Sequence, residues 1–266
     1  MPRREVVQRL GRSYRLVIAL VIPLLRLLTV RRWSGAENLP SSGGFLVCPN
    51  HISYADPMTL GHLLIESGHP PYFLAKESLF RLPVVGRVIR GAGQIPVRRD
   101  GPDASAALDG AVDALGQGRC IVIYPEGTLT RDPHGWPMVG RSGAARLALQ
   151  TGCPVVPVAQ WGPQRMWRPY TKRVRIFGRT TIQVSVGAPV DLDDLRGRPL
   201  DTEVLAEATE RIMAAITELL RPLRPGEPPA QRFDPRASGP ARGNPAQLAR
   251  EAARRAAAAA QVRRRG

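Results

Sequence analysis

Three short runs hold residue types that can do chemistry. The first is Asn50-His51-Ile52-Ser53-Tyr54-Ala55-Asp56-Pro57, directly after the apolar run Phe45–Cys48. Asp56-Pro57 reads as a helix start, with Asp56 as N-cap and Pro57 in the first turn. His51 then sits in the turn between strand and helix, and Asp56 can fold back toward it. A carboxylate bonded to one imidazole nitrogen fixes the tautomer and raises the basicity of the other, which can take a proton from a hydroxyl. Read alone, the run is equally a capped helix beside a turn histidine. The second run is Tyr124-Pro125-Glu126-Gly127-Thr128, a turn at the end of the apolar run from Cys120. Such turns at strand carboxyl ends are where α/β sheets contact ligands, and Glu126 could hold substrate hydroxyls or brace the site. The third is Gly93-Gln94-Ile95-Pro96-Val97-Arg98-Arg99, whose arginines present planar forks suited to phosphate, although a surface Arg pair is often only solvated.

These runs need elements to position them. Phe45–Cys48, Tyr72–Ala75, Gln94–Val97, Cys120–Tyr124, Val155–Ala159 and Ile182–Val186 read as strands. Helical spacing appears over Asp103–Leu115, Ser142–Gln150 and, most clearly, Thr202–Leu220. Strands alternating with helices predict an α/β sheet covered by helices on its faces. The 266 residues suffice for one such domain. Cys48, Cys120 and Cys153 lie in or beside apolar runs without a CxxC pair, so they read as buried core thiols of a reducing compartment.

The net charge of +16 is concentrated at the ends: +7 over residues 1–32, +8 over 221–266 and only +1 between them. Anionic lipid and nucleic acid are the two partners such ends could meet. Residues 14–30 are apolar but interrupted by Arg15, Pro23 and Arg26, too broken for a spanning helix. They read as a kinked helix in the headgroup layer, one face of which could also cover the core. After Pro222 the chain turns rich in Pro, Gly, Arg and then Ala, the composition of a solvated tail. The domain plan is therefore 1–32, a basic membrane-associating helix; 33–220, the folded domain; and 221–266, a disordered tail. From Trp161 to Arg179 cations and aromatics interleave without an acid, which suits a lipid interface, the phosphates of a coenzyme or an ordinary basic loop.

Taken together and in order, the runs resemble the 1-acylglycerol-3-phosphate O-acyltransferase family. That family carries Asn-His-x4-Asp, a Gly-x5-Arg block, Phe-Pro-Glu-Gly-Thr-Arg-Ser and an apolar Val-Pro-x-x-Pro block. Here they stand as NHISYAD at 50–56, GQIPVRR at 93–99, YPEGTLT at 124–130 and CPVVPVA at 153–159. The resemblance implies a glycerolphosphate-acyltransferase-like single α/β domain, a mixed sheet flanked by helices. It implies His51 as general base and Asp56 as its orienting partner, with Arg99, Glu126, Gly127, Thr128 and Arg141 binding substrate, and Pro154 to Pro157 near the acyl end. It also implies transfer of a fatty acyl group from acyl-CoA or acyl carrier protein to 1-acylglycerol 3-phosphate, giving phosphatidic acid. No metal or resident cofactor is expected, and the setting would be peripheral or monotopic on the cytoplasmic face of the cell membrane, against anionic phospholipid. Transfer would be direct: no Gly-x-Ser-x-Gly elbow is present, and Ser53 reads as a loop hydroxyl. Two departures bear on the acceptor: Arg98 stands where many members have Asp, and Leu129 where many have Arg, with Arg131 two positions on. Another lysophospholipid or a glycolipid is the alternative acceptor. A nucleic-acid binder is a distant alternative that the near-neutral middle disfavours, and a non-catalytic membrane scaffold is another that intact His51 and Asp56 disfavour.

Overall fold

Each of the central strands is apolar on both faces, and this decides the layering. The structure, a computed structural model, describes residues 7, 10–97, 108–171, 173–175 and 177–237. Seven strands form one sheet: β1 (Thr29–Ser34), β2 (Phe45–Pro49), β3 (Pro71–Lys76), β4 (Ile95–Val97), β5 (Cys120–Val122), β6 (Val155–Trp161) and β7 (Thr180–Val186). Their spatial order is β1-β7-β6-β2-β5-β3-β4. All neighbours are parallel except β6 and β7, so β1 and β7 run against the other five and the sheet is mixed.

On β2, Leu46 and Cys48 point into one core and Phe45 and Val47 into the other. A strand buried on both faces needs helices on both sides. On the first face lie α5 (Asp109–Gly116), α6 (Gly143–Thr151) and α8 (Thr202–Leu220). On the second lie α1 (Arg12–Leu28), α2 (Asp56–Glu66) and the short α7 (Pro163–Met166). The short α3 (Glu77–Phe80) and α4 (Pro83–Gly91) follow β3, and α4 packs on α1. The three cysteines are free and buried.

The amphipathic stripe expected over Thr202–Leu220 becomes α8, its N-cap Asp201 accepting a bond from the Val204 N–H. Two expectations change, and a third falls partly outside the described residues. The apolar N-terminal segment is a helix only to Leu28; β-branched Thr29 and Val30 then open an edge strand whose Arg31 and Arg32 stay in solvent, so the boundary drawn at 32 falls inside β1. The helix expected from Asp103 runs Asp109–Gly116 within the described residues, which exclude 98–107. The tail expected from 221 is described to 237, and over that stretch it makes fixed contacts with the domain.

One close approach joins the layers. A Cβ on Gly44 would collide with the Leu115 carbonyl at the end of α5, whereas one on exposed Gly116 would meet nothing. Gly44→Ala should therefore lower stability by on the order of 1–3 kcal/mol. Gly116→Ala should be neutral or raise it by up to about 1 kcal/mol. Thermal unfolding of the pair checks this; equal midpoints would contradict the packing.

Candidate active site

The parallel register of β2 and β5 places the first two motifs side by side. Phe45 pairs with Cys120 and Val47 with Val122, and the Ile123 N–H still bonds the Val47 carbonyl. Both chains then leave the sheet at its carboxyl edge, where α/β sheets place ligands. His51 and Glu126 each stand six residues beyond the paired Phe45 and Cys120, and there they meet.

His51 Nδ1 lies 2.9 Å from Asp56 Oδ2. The same oxygen accepts the backbone N–H groups of Ile52 (2.7 Å) and Ser53 (2.8 Å). Asp56 does not cap α2 as expected. Ala55 is the N-cap position, and Asp56, the first helical residue, uses its side chain on the turn that carries His51. The carboxylate is fully buried. Burial pushes its pKa up, and the imidazole and the two N–H groups oppose that rise. The His51 ring stacks on Tyr124 at 4.0 Å between centroids and keeps 17% of its side chain exposed.

Glu126 braces this turn. Its Oε1 accepts the His51 N–H (2.8 Å) and its Oε2 the Met138 N–H (3.0 Å). Of the two roles left open for it, the geometry supports the brace: both oxygens point into the protein and the residue is buried. Burial drives its pKa up to about 8 against those two N–H groups. The Thr130 N–H donates to the His51 carbonyl at 2.7 Å, so the segment from Glu126 to Thr130 grips the histidine backbone at both its N–H and its carbonyl.

Gly127 adopts a left-handed φ of 72°, and a Cβ there would come within 2.8 Å of Arg141 Cδ. The glycine thus lets Arg141 lie against the turn, and the Arg141 N–H completes the contact on the Pro125 carbonyl (2.9 Å). Thr128 borders the cavity that His51 faces. Arg98 and Arg99 lie outside the described residues. Ser53 is buried. Its hydroxyl lies 2.7 Å from the Trp167 carbonyl and 3.1 Å from the Pro163 carbonyl, and it accepts the Ala55 N–H; it is a loop hydroxyl, as expected.

Sequence reasoning gave no role to several members of the site. Asn50 extends the β2–β6 pairing beyond its last rung, its amide donating to the Gln160 carbonyl (3.1 Å) and accepting the Gln160 N–H (2.7 Å). Gln160 Oε1 in turn lies 3.0 Å from the Thr59 hydroxyl on α2. The signal was present: an amide inside the apolar run VVPVAQW must find a partner when buried. Tyr170, with φ 56°, donates its hydroxyl to the Leu129 carbonyl (2.6 Å) and closes the site from the basic-aromatic segment; nothing local in sequence marked it.

The cavity has a volume of about 540 Å³. His51, Tyr54, Thr128 and Tyr170 stand on its polar side. Val17, Val21 and Ile22 of α1, Met58 and Ile65 of α2, and Val88 and Ile89 of α4 form an apolar wall. His62 also borders it, held neutral because burial lowers its pKa to about 4.

Glu126 generates a sign-definite prediction. Its pKa rises from 4.5 unfolded to about 8 folded, so between those values the folded state binds more protons and stability falls as pH rises. Glu126→Gln should remove that slope. It should also lower stability by about 1–3 kcal/mol, because the amide NH2 would face a backbone N–H in place of an acceptor. Denaturation at pH 5 and pH 8 reads both effects; an unchanged slope in the variant would refute the assignment.

An acyltransferase family model matches residues 30–161. A 1-acyl-sn-glycerol-3-phosphate acyltransferase of Borreliella burgdorferi is 36% identical over 126 residues, 47% of this chain and 48% of that protein. A protein of the same name from Bacillus subtilis is 28% identical over 183 residues, 69% of this chain and 84% of that one. The chain thus spans about half of the first relative and most of the second. The fold is similar to the crystal structure of the Thermotoga maritima 1-acyl-sn-glycerophosphate acyltransferase, with TM-score 0.57 and 24% identity over 80% of this chain and 83% of that one. The matched segment contains both the His51–Asp56 pair and the Glu126 turn, and the chain belongs to the acyltransferase family that includes the 1-acyl-sn-glycerol-3-phosphate acyltransferases.

Proposed function

We propose that the protein transfers a fatty acyl group from a thioester, acyl-CoA or acyl carrier protein, to the free hydroxyl of 1-acylglycerol 3-phosphate, giving phosphatidic acid. The observation that carries this reading is the ring of His51, tied at Nδ1 to buried Asp56 and bordering a cavity whose wall, from α1, α2 and α4, is apolar. The cavity falls within the roughly 300–1,000 Å³ of ligand pockets. Each methylene buried in it contributes about 0.8 kcal/mol to holding the chain.

In this mechanism Nε2 of His51 removes the hydroxyl proton as the oxygen attacks the thioester carbonyl. The tetrahedral intermediate collapses, the C–S bond breaks, and the leaving thiolate takes the proton back from the imidazolium. Asp56 stays ionised and holds the ring while it is charged. Tyr124, its phenol pushed well above the ordinary value by burial, remains a neutral stacking face beneath the ring.

The setting we propose is the cytoplasmic face of the membrane, bound peripherally or monotopically to anionic phospholipid. No described helix is long and apolar enough to cross a bilayer. On α1, Tyr14, Ile18, Ile22 and Leu25 face the protein, while Leu16, Leu20, Leu24 and Leu27 are 53–69% exposed. On α4, packed beside α1, Val84 and Val85 are exposed as well. A leucine stripe beside the cavity, set among arginines, fits a helix lying in the headgroup layer.

A second reading keeps the chemistry and changes the acceptor. Leu129, at the position of the Arg in the family motif that the run 124–130 resembles, is buried and borders the cavity, so that position offers no guanidinium to a phosphate.

The test of the reaction is acyl transfer by His51→Ala, purified and shown to unfold at the wild-type midpoint. Activity should fall about 10²–10⁴-fold; full retention would overturn the mechanism. The same assay with lysophosphatidic acid beside a lysophospholipid and a glycolipid separates the two acceptor readings. For the membrane, Leu20→Glu with Leu27→Glu should weaken binding to anionic vesicles, read by co-sedimentation, by at least about a hundredfold, since each buried leucine contributes about 1.5–3 kcal/mol and tenfold is about 1.4 kcal/mol. Undiminished co-sedimentation would exclude the stripe as the contact.

A further inference from the structure

Past the last helix the chain does not leave the domain. The turn Arg221–Leu223 is held by Gln183 Nε2, which donates to the Leu223 carbonyl (2.8 Å). The Arg224 guanidinium then lies over two indole rings, 4.1 Å from the centre of Trp136 and 4.7 Å from that of Trp161. Further on, Arg232 pairs with Glu210 on α8, and the Phe233 carbonyl accepts the Val139 N–H at 3.0 Å. Asp234 and Arg236 then line a small basic pocket of about 120 Å³ together with Glu126, Thr128 and Arg141. Residues 221–236 thus form a strap across the domain.

The strap covers the loop that holds the histidine turn. Trp136 is buried in that loop, which folds on itself: the Thr130 hydroxyl donates to the Trp136 carbonyl (2.7 Å), and Asp132 Oδ1 accepts the Trp136 N–H (3.0 Å). A Cβ on Gly135, at a left-handed φ of 78°, would stand 3.8 Å from Arg224 Nη1, so the loop passes directly beside the guanidinium. Each end of the loop grips the His51 turn. The Thr130 N–H donates to the His51 carbonyl (2.7 Å), and the Met138 N–H to Glu126 Oε2 (3.0 Å), whose Oε1 takes the His51 N–H (2.8 Å). Met138 and Val139, neighbours in the chain, therefore donate in turn to Glu126 and to the strap.

Arg224 is an unusual residue to close such a contact. Its Nη1 is buried and finds no hydrogen-bond partner among the described residues. Burial disfavours its charge, and nearby Asp132 opposes that effect. What the cation gains is the two ring faces, one on the loop and one at the end of β6, which is fixed in the sheet.

We propose that Arg224 is a positioning residue for the reaction: stacked between Trp136 and Trp161, it fixes the loop from Thr130 to Met138 and, through Glu126, the backbone of His51. The proposal rests on the acyltransfer reading for the reaction that His51 serves, and it adds a role for the segment beyond the last helix. Among the described residues, none of the strap lines the acyl cavity, so the effect falls on the placement of the imidazole and not on the binding of the chain.

Two readouts on the full chain test this, at a temperature where melting curves show every variant to be folded. The first is amide hydrogen exchange at Thr130 and Met138. Arg224→Ala should speed it about tenfold, or about 1.4 kcal/mol, the scale of a partly desolvated cation over an indole. Arg224→Lys, which keeps a cation over the rings, should recover part of the protection, and Arg224→Gln should not. The second is acyl transfer. Arg224→Ala should lower kcat about tenfold while KM for the acyl donor stays within about twofold. Adding Arg224→Ala to Glu126→Gln should slow the enzyme no further, because both act on the same brace, whereas independent structural defects would multiply. Unchanged exchange in Arg224→Ala, or multiplied rate losses in the double variant, would overturn the role. A wild-type protein that transfers no acyl group would count against the acyltransfer reading instead, and the exchange measurement would still decide whether the strap holds the loop.

Discussion

Asp56 is the point on which the site hangs. Its Oδ2 gathers the His51 ring and two backbone N–H groups within 2.9 Å, in a place with no solvent. An isolated carboxylate there would be costly to bury; the three donors offset part of that cost and, in doing so, fix the loop from His51 to Ser53. Orienting the imidazole and stabilising the buried carboxylate are therefore one arrangement. The geometry needs α2 to start at residue 56, since this places the carboxylate under the loop and not at a free helix end.

The surrounding structure holds the remaining degrees of freedom. Asn50 ties the residue before the histidine to β6, and the Glu126 turn holds His51 at both its N–H and its carbonyl. Two strands adjacent and parallel in the sheet, more than seventy residues apart in sequence, thus deliver His51 and Glu126 to one edge. The acyl cavity lies on one side of this edge, against α1 and α4, and the small basic pocket on the other. Thr128 borders both.

Much of this was legible in the chain. The apolar runs gave the central strands because a strand buried on both faces has no polar positions, and the stripe of α8 emerged nearly residue for residue. The pairing of His51 with Asp56 followed from their spacing around a helix start, although the capping role expected of Asp56 did not survive the demand of the loop N–H groups. What remained hidden was non-local. Edge strand β1 looks like the end of an apolar helix until β7, about 150 residues later, offers it a parallel partner. Tyr170 enters the site, and Arg224 docks on the domain, from segments whose composition reads as basic loop and tail. Composition reports that such a segment lacks a core of its own; it is silent on whether two tryptophans elsewhere will hold an arginine within it.

The most direct measurement is nitrogen NMR of the imidazoles in the folded protein, with the His51 signals assigned from a His51→Ala sample. The account predicts that neutral His51 carries its proton on Nδ1, bonded to Asp56, and leaves Nε2 as the bare acceptor toward the cavity, and that Asp56→Asn disturbs this tautomer. A neutral ring protonated at Nε2 would contradict the account, because the nitrogen facing the substrate hydroxyl would have no capacity to receive its proton.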